Sequence, residues 1–344
     1  MTAKRIFVTG ASGCIGHYIT DALIQQTSHE LFLLVRNPDK LKIDLEARSG
    51  IHLLQGDMYQ IERFSDLLKT MDAAVLAAAA WGGVQETYDI NVTKTIRLMN
   101  LLDPDVCQQV IYFSTASILD RHNQPLSEAG QLGTDYIRSK FTCHQRLKKL
   151  AIAPHVTTVF PTLVFGGDVD KPASHLNQGL PDVLRWMGLI RFFKLEGSFH
   201  YIHSRDIAQV MVHLLDHPPE EEASRELVLG NPAMTANQAI EAMCKYLNKP
   251  MYLRIPLTLP LANFFIRVFR IQMAAWDRFC MSYRHFTHQN PVNPATYGAV
   301  PYCSSLGDVL KVSGVAPKKS EAIARPVSPR QTIQPSKADQ PTLK

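Results

Sequence analysis

The chain's 344 residues are 46% hydrophobic and 19% charged, the balance of a soluble globular enzyme, with length for one large domain or two lobes. The formal charge of +5 is lopsided: residues 316–344 carry Lys318, Lys319, Arg325, Arg330, Lys337 and Lys344 against Glu321 and Asp339, a net +4. The body is therefore nearly neutral, and no basic face supports a nucleic-acid-binding role.

In chain order, the first half alternates two kinds of segment. Short apolar runs at Arg5–Thr9, Leu31–Val35, Ile51–Leu54, Ala73–Ala79, Val110–Phe113 and Val156–Phe160 read as strands buried on both faces. Between them lie helical spacings. Ile15, Ile19, Ala22 and Leu23 share one face, as do Ile61, Phe64, Leu67 and Leu68. This alternation predicts an α/β fold built on a doubly wound parallel sheet.

After Gly166 the rhythm loosens. Gly, Pro, Asn and His crowd residues 166–182, a helix-like piece follows near Val183–Gly188, and Tyr201–Leu215 resumes the strand–helix manner. Residues 251–286 are rich in Leu, Phe, Arg and Met; 316–344 lacks apolar periodicity and is expected to be a disordered tail. The expected division is a cofactor domain over 1–165, to which 196–223 returns, and a substrate lobe from 166–195 and 224–315. Cys14, Cys107, Cys143, Cys244, Cys280 and Cys303 show no CxxC and no ligand spacing, so they read as thiols of a reducing compartment. The start runs directly into a strand-like segment, and no apolar stretch reaches bilayer length, so the cytoplasm is the expected location.

The loop Thr9-Gly10-Ala11-Ser12-Gly13-Cys14-Ile15-Gly16 stands between the first strand and a helix. Gly10 permits a tight turn, Gly13 lets backbone amides approach a pyrophosphate, and Gly16 lets the helix pack on the strand. This context predicts dinucleotide binding. The second strand ends in Val35-Arg36-Asn37-Pro38-Asp39-Lys40, with no acidic residue where NAD's ribose hydroxyls would be held. Arg36, helped by Lys40, could pair with a 2′-phosphate, which favours NADP(H) over NAD(H); a solvated basic loop is the plainer alternative. Asp57, after the third strand, could accept from an adenine amino group or merely cap the next helix. Met58, Ala78 and Pro161, at the ends of the third, fourth and sixth strands, complete the expected cofactor wall.

Tyr136-Ile137-Arg138-Ser139-Lys140 opens a helical stretch reaching about Leu150, and the i, i+4 spacing puts phenol and ammonium on one face. The positive charge is expected to lower the tyrosine pKa. The pair follows a fifth strand ending in Ser114-Thr115-Ala116-Ser117, where a hydroxyl could hold a substrate oxygen while Tyr136 exchanges a proton with it.

Together these residues resemble the extended short-chain dehydrogenase/reductase family, also called the NAD-dependent epimerase/dehydratase family, over roughly residues 4–250. The resemblance implies a Rossmann domain with a smaller substrate lobe, Tyr136 as acid/base, Lys140 as ribose binder and pKa modulator, and Thr115 as the catalytic hydroxyl. Further matches are Asn91-Val92-Thr93-Lys94-Thr95, Phe160-Pro161-Thr162-Leu163-Val164-Phe165-Gly166 and Tyr201-Ile202-His203-Ser204-Arg205-Asp206-Ile207-Ala208. Several positions depart from the family pattern: Leu119-Asp120 replaces Tyr-Gly, Phe160 replaces an Arg, Leu163 an Asn and Leu76 a frequent His. The departures weaken a nucleotide-sugar reading and leave the redox residues intact.

Two other features admit competing readings. His200 and His203 lie on strand and turn with no carboxylate pattern to complete a metal site. Leu261, Phe264, Phe265 and Val268 follow helical spacing, with Arg267 and Arg270 off the stripe; the segment 257–275 reads as a lid over the substrate cleft or as a peripheral membrane contact. The expected activity is NAD(P)(H)-dependent oxidation or reduction at a carbonyl or secondary alcohol of a mostly apolar small molecule. Nucleotide-sugar epimerisation or dehydration and a non-catalytic cofactor scaffold are the alternatives. A homodimer is compatible with the sequence.

Overall fold

The computed structural model describes residues 3–218 and 225–317. From residue 318 onward, the expected disordered tail lies outside the described residues.

Seven parallel strands form the central sheet: β1 (Arg5–Thr9), β2 (Glu30–Val35), β3 (Ile51–Gln55), β4 (Ala73–Leu76), β5 (Gln109–Phe113), β6 (Val156–Pro161) and β7 (Arg225–Leu229). Their order is β7-β6-β5-β4-β1-β2-β3. Strand order reverses between β1 and β4, and the crevice beyond the strand ends at such a reversal is where doubly wound folds bind ligands.

The continuous apolar runs are explained by burial on both sides, except in β3, an edge strand with no fully buried residue, where the two-sided burial expected of Ile51–Leu54 is not found. Ile6 and Val8 of β1 pack with Ile19 and Leu23 of the helix Cys14–Gln26 and with Ile207, Val210 and Met211 of the helix Ser204–Asp216. Phe7, between them, faces the opposite layer with Leu98 and Met99 of the helix Thr95–Leu101 and Leu147 of the helix Asp135–Leu147. Side chains alternate across a strand, so a helix layer on each face leaves the central strands mostly apolar on both.

The structure corrects several boundaries. β4 ends at Leu76 instead of Ala79, because the chain leaves the sheet where Ala77 and Ala78 pass the backbone of Gly10. The spacing around Ile61–Leu68 forms a 3-10 stretch, Met58–Phe64, broken at Gln60, followed by the single turn Ser65–Leu68; only Ile61 and Leu68 are fully buried. The helix expected near Val183 begins at His175, where the Ser174 hydroxyl accepts from the Asn177 amide, and runs to Ile190 through Pro181. Arg225–Leu229, assigned above to the substrate lobe, instead pairs with β6 as the last strand of the main sheet.

Over the strand ends sits a smaller layer. The short strand Ser198–Phe199 lies between Met234–Thr235 and His285–Phe286, with the helices Ala236–Tyr246, Leu259–Val268, Ala275–Tyr283 and Leu306–Val312 around it. Among the described residues, no helix is long and apolar enough to cross a membrane.

Candidate active site

The turn after β1 is dictated by its glycines. Gly10 has φ +78°, and a Cβ there would lie 2.6 Å from the Ala77 carbonyl carbon and the Ala78 nitrogen. A Cβ on Gly16 would overlap the Gly10 carbonyl oxygen. Gly13 is different: its Cβ would meet only that same oxygen, at 3.3 Å. Gly13 is also the N-cap of the helix Cys14–Gln26, which has no capping side chain and no acidic residue in its first turn. An uncapped helix N-terminus with a bare glycine at its mouth suits an anionic group such as a pyrophosphate.

This loop forms one wall of a cleft of about 730 Å³. The cleft brings together every catalytic and cofactor-binding residue expected from the sequence: Gly10, Ser12, Gly13, Cys14, Ile15, Gly16, Arg36, Asp57, Met58, Ala78, Thr115, Tyr136, Lys140 and Pro161. Lys40 lines it as well. Arg36 is largely exposed, its Nη1 lying 3.7 Å from Asp57 Oδ2. The other Asp57 oxygen accepts from the Tyr59 amide at 3.0 Å, the capping role considered above.

Tyr136 and Lys140 are delivered by the helix Asp135–Leu147, started by the Thr134 hydroxyl accepting from the Ile137 amide. The Lys140 ammonium lies 5.9 Å from the centre of the Tyr136 ring. It is 1% exposed and donates to the Phe113 carbonyl, at the end of β5, at 2.7 Å. Burial draws its pKa down to about 8. Burial also pushes the Tyr136 phenol well above its ordinary value, opposite to the lowering expected from the sequence. The reason is physical: desolvation penalises phenolate, and the nearby ammonium is engaged with a backbone carbonyl. The Thr115 hydroxyl accepts from the Ser117 amide at 3.4 Å and lies equally far from the Ser117 hydroxyl, on the turn Ala116–Ile118.

Trp81 was not singled out from the sequence, yet it lines this cleft. Its indole stacks on the Tyr136 ring with centroids 3.7 Å apart and planes 11° from parallel, and it also touches His175. The segment carrying it is tied down by buried Asn91. The Asn91 side chain accepts from the Ala80 amide and donates to the Ala80 carbonyl and to Ser139 Oγ on the Tyr136 helix. Asn91 sits in a π-helical turn, Asp89–Lys94, a geometry common at functional sites. A lone indole between four alanines and two glycines was the available signal.

A model of the NAD dependent epimerase/dehydratase family matches residues 6–230. The chain belongs to that family. No curated protein sequence matches it. Among solved structures, gox2253 is similar with TM-score 0.62 at 20% identity, covering 91% of this chain and 93% of that one. A UDP-glucuronic acid 4-epimerase mutant from Bacillus cereus, in complex with a fluorinated UDP-glucuronic acid and NAD, gives 0.60 at 17%, covering 90% and 98%. A UDP-N-acetylglucosamine 4-epimerase from Methanobrevibacter ruminantium M1, in complex with UDP-N-acetylmuramic acid, gives 0.60 at 16%, covering 92% and 98%. At such identities the likeness is one of fold.

A second cavity, of about 840 Å³, adjoins the first, with Thr162 and Leu163 shared between them. Its lining is dominated by apolar groups, among them Phe199, Leu257, Phe265, Ile266, Ile271 and Met281. The helix Leu259–Val268 forms part of this wall, the placement expected of a lid. His200 and His288 supply polar atoms. His200 Nδ1 pairs with the Asn231 carbonyl and its Nε2 accepts from the His288 amide, while His288 Nδ1 pairs with the Asp120 carbonyl. His203 is spent elsewhere, its Nδ1 accepting from the Arg205 amide to cap the helix Ser204–Asp216.

Proposed function

We propose that this chain is an oxidoreductase dependent on a nicotinamide dinucleotide, acting on a carbonyl or secondary alcohol of a mostly apolar small molecule. The observation that carries this reading is the apolar cavity opening beside the cleft that holds Thr115, Tyr136 and Lys140. The glycine turn and uncapped helix N-terminus suit a pyrophosphate, and Lys140, which lines the same cleft, would hold the ribose. The bound dinucleotide would supply or accept the hydride. In the reducing direction Tyr136, kept protonated by burial, donates its phenolic proton to the substrate oxygen. The Thr115 hydroxyl orients that oxygen. Lys140, now donating to the Phe113 carbonyl, would be the residue to hold the ribose and, through its charge, favour the phenolate form of Tyr136.

Arg36 and Lys40 in the cleft support NADP(H): Arg36, largely exposed although it lies 3.7 Å from Asp57, would turn to a 2′-phosphate, with Lys40 beside it. The NAD in the Bacillus cereus complex supports NAD(H) as the alternative. A nucleotide-sugar epimerase or dehydratase is the second reading, favoured by the family and by the two UDP-sugar neighbours. Against it stands the lining of the second cavity. Among the described residues its one Lys or Arg is Arg284, already paired with Glu196, so a diphosphate would lack a free cation there.

The test is a panel of hydrophobic ketones and alcohols and of nucleotide sugars, each with NADH, NADPH and their oxidised forms. Net cofactor turnover with an apolar ketone or alcohol is expected. Conversion of a nucleotide sugar without net cofactor change would replace this reading with the second one. Fluorescence titration should show tighter NADPH than NADH binding, with Arg36→Ala weakening only NADPH; equal affinities unchanged by the substitution would reject the NADP(H) assignment.

A further inference from the structure

Half of the large apolar residues most exposed among the described residues, ten of twenty, fall in two segments: Val183, Trp186 and Leu189, then Tyr252, Leu253, Ile255, Phe264, Val268, Phe269 and Ile271. The helix His175–Ile190 buries Leu180 and Met187 inward and carries large apolar residues outward as well: Trp186 and Leu189 remain 55% and 53% exposed. The lid helix Leu259–Val268 has no buried residue at all; Phe265 and Ile266 face the cavity, whereas Phe264 is 59% exposed. The two segments meet physically. Phe193–Lys194 pairs with Ile255–Pro256, and Arg191 donates to the Pro250 carbonyl and lies over the Tyr252 ring.

Charge identifies the partner. Residues 183–195 and 251–276 contain Arg185, Arg191, Lys194, Arg254, Arg267 and Arg270 and no Asp or Glu. Arg254 turns inward to Glu241, and Arg185 reaches Asp182. Lys194, Arg267 and Arg270 are exposed and have no carboxylate partner among the described residues. Exposed Trp, Tyr, Phe and Leu interleaved with unpaired cations is the composition that seats a protein in the headgroup region of an anionic bilayer. A second copy of this chain would bring like charges together across the same face.

We propose that this face docks on an anionic lipid surface, with the lid helix inserted shallowly. The docking stands independently of the catalytic reading. Its consequence rests on that reading: the lid's inner face walls the apolar cavity, so the cavity would exchange a lipid-dissolved substrate with the bilayer.

The experiment is co-sedimentation of the full chain with vesicles of phosphatidylglycerol and phosphatidylcholine in equal parts, and with phosphatidylcholine alone. Binding to the anionic vesicles is expected, weakened by salt. Each cation at such a surface is worth roughly fivefold, so replacing Lys194, Arg267 and Arg270 together by Gln should cost about a hundredfold. The double variant Phe264→Ser, Phe269→Ser should lose binding. Both variants should keep the parent's melting temperature and cofactor fluorescence, since these side chains support neither the core nor the cleft. A chain that stays in the supernatant with both vesicle types overturns the proposal, as does undiminished binding by the double Ser variant. So does a dimer in sedimentation velocity that the Ser substitutions dissolve, which would make a second copy the occupant. Substrate turnover is not measured, so failure of the oxidoreductase reading cannot be mistaken for failure of docking.

Discussion

The cleft at the ends of β1, β4 and β5 and the cavity beneath the helix Leu259–Val268 share Thr162 and Leu163, yet they are built by opposite means. The first has much of its wall made of backbone. Glycines bring amides to the surface, strand ends set the spacing, and a helix N-terminus supplies partial charge. The second is walled by side chains from segments as distant in sequence as Ala116 and His288, most of them apolar. Backbone geometry suits a ligand part common to many enzymes. Side-chain walls suit the part that differs between them, because replacing a residue reshapes the wall without disturbing a strand.

The largest difference between the two should appear in chemistry. Tyr136→Phe removes one hydroxyl and keeps the ring on Trp81, so folding and cofactor binding should survive while turnover falls by about 10²–10⁴. Steady-state rates across pH on the substrate from the panel check this. Full activity in the variant would remove Tyr136 from proton transfer.

Next in size is a steric test of the backbone-built wall. Gly16→Ala places a methyl group on the Gly10 carbonyl oxygen, with no flexible side chain to yield. The turn or the helix must move, at a cost of about 1–3 kcal/mol or more. Cofactor affinity should fall with stability, read by thermal melting with and without NADPH. An unchanged affinity would mean that the glycine loop does not touch the ligand.

These outcomes bear on what was legible in the sequence. The loop Gly10–Gly16 could be read because its requirements are local: positive φ, close approach and helix start all fall within seven residues. The central strands were legible for the same reason, since two-sided burial writes itself into each run; Ile51–Leu54 looks equally apolar, but its place at the sheet edge leaves none of it fully buried. The cavity was not, because long-range packing assembles it and neither His288 nor Met281 carries a local mark. Trp81 was missed because its significance lies in stacking on Tyr136, 55 residues later in sequence. The direction of the Tyr136 shift was missed because spacing reveals a neighbouring charge but not the depth of burial.

A smaller effect concerns the energetic burden of the site. Lys140 has its pKa lowered to about 8 in the folded chain, against 10.5 for the ordinary group. Between those values the unfolded chain binds the extra proton, so stability attributable to this residue rises with pH through that window and is lowest below pH 8. Lys140→Met should therefore stabilise the cofactor-free protein at pH 7 by on the order of 1–2 kcal/mol, after the loss of the hydrogen bond to Phe113. The gain should fade towards pH 10.5, where the parent is already relieved. Denaturant titrations at several pH values decide it, and a pH-independent loss of stability would show that the ammonium is not under strain.

The smallest predicted effect lies on a surface helix that does not line the second cavity. Gly179 lies in the helix His175–Ile190, and a Cβ there would meet no atom within 4 Å. Unlike Gly10, it has no positive φ to preserve, so the glycine serves no steric need within the chain. Gly179→Ala should then stabilise the helix by about 0.5–1 kcal/mol, because alanine loses less backbone freedom on folding. That corresponds to a rise in melting temperature of about 1 °C for a chain of this size. Differential scanning calorimetry can resolve such a shift. A fall instead of a rise would mean that something outside the described residues occupies the space over Gly179.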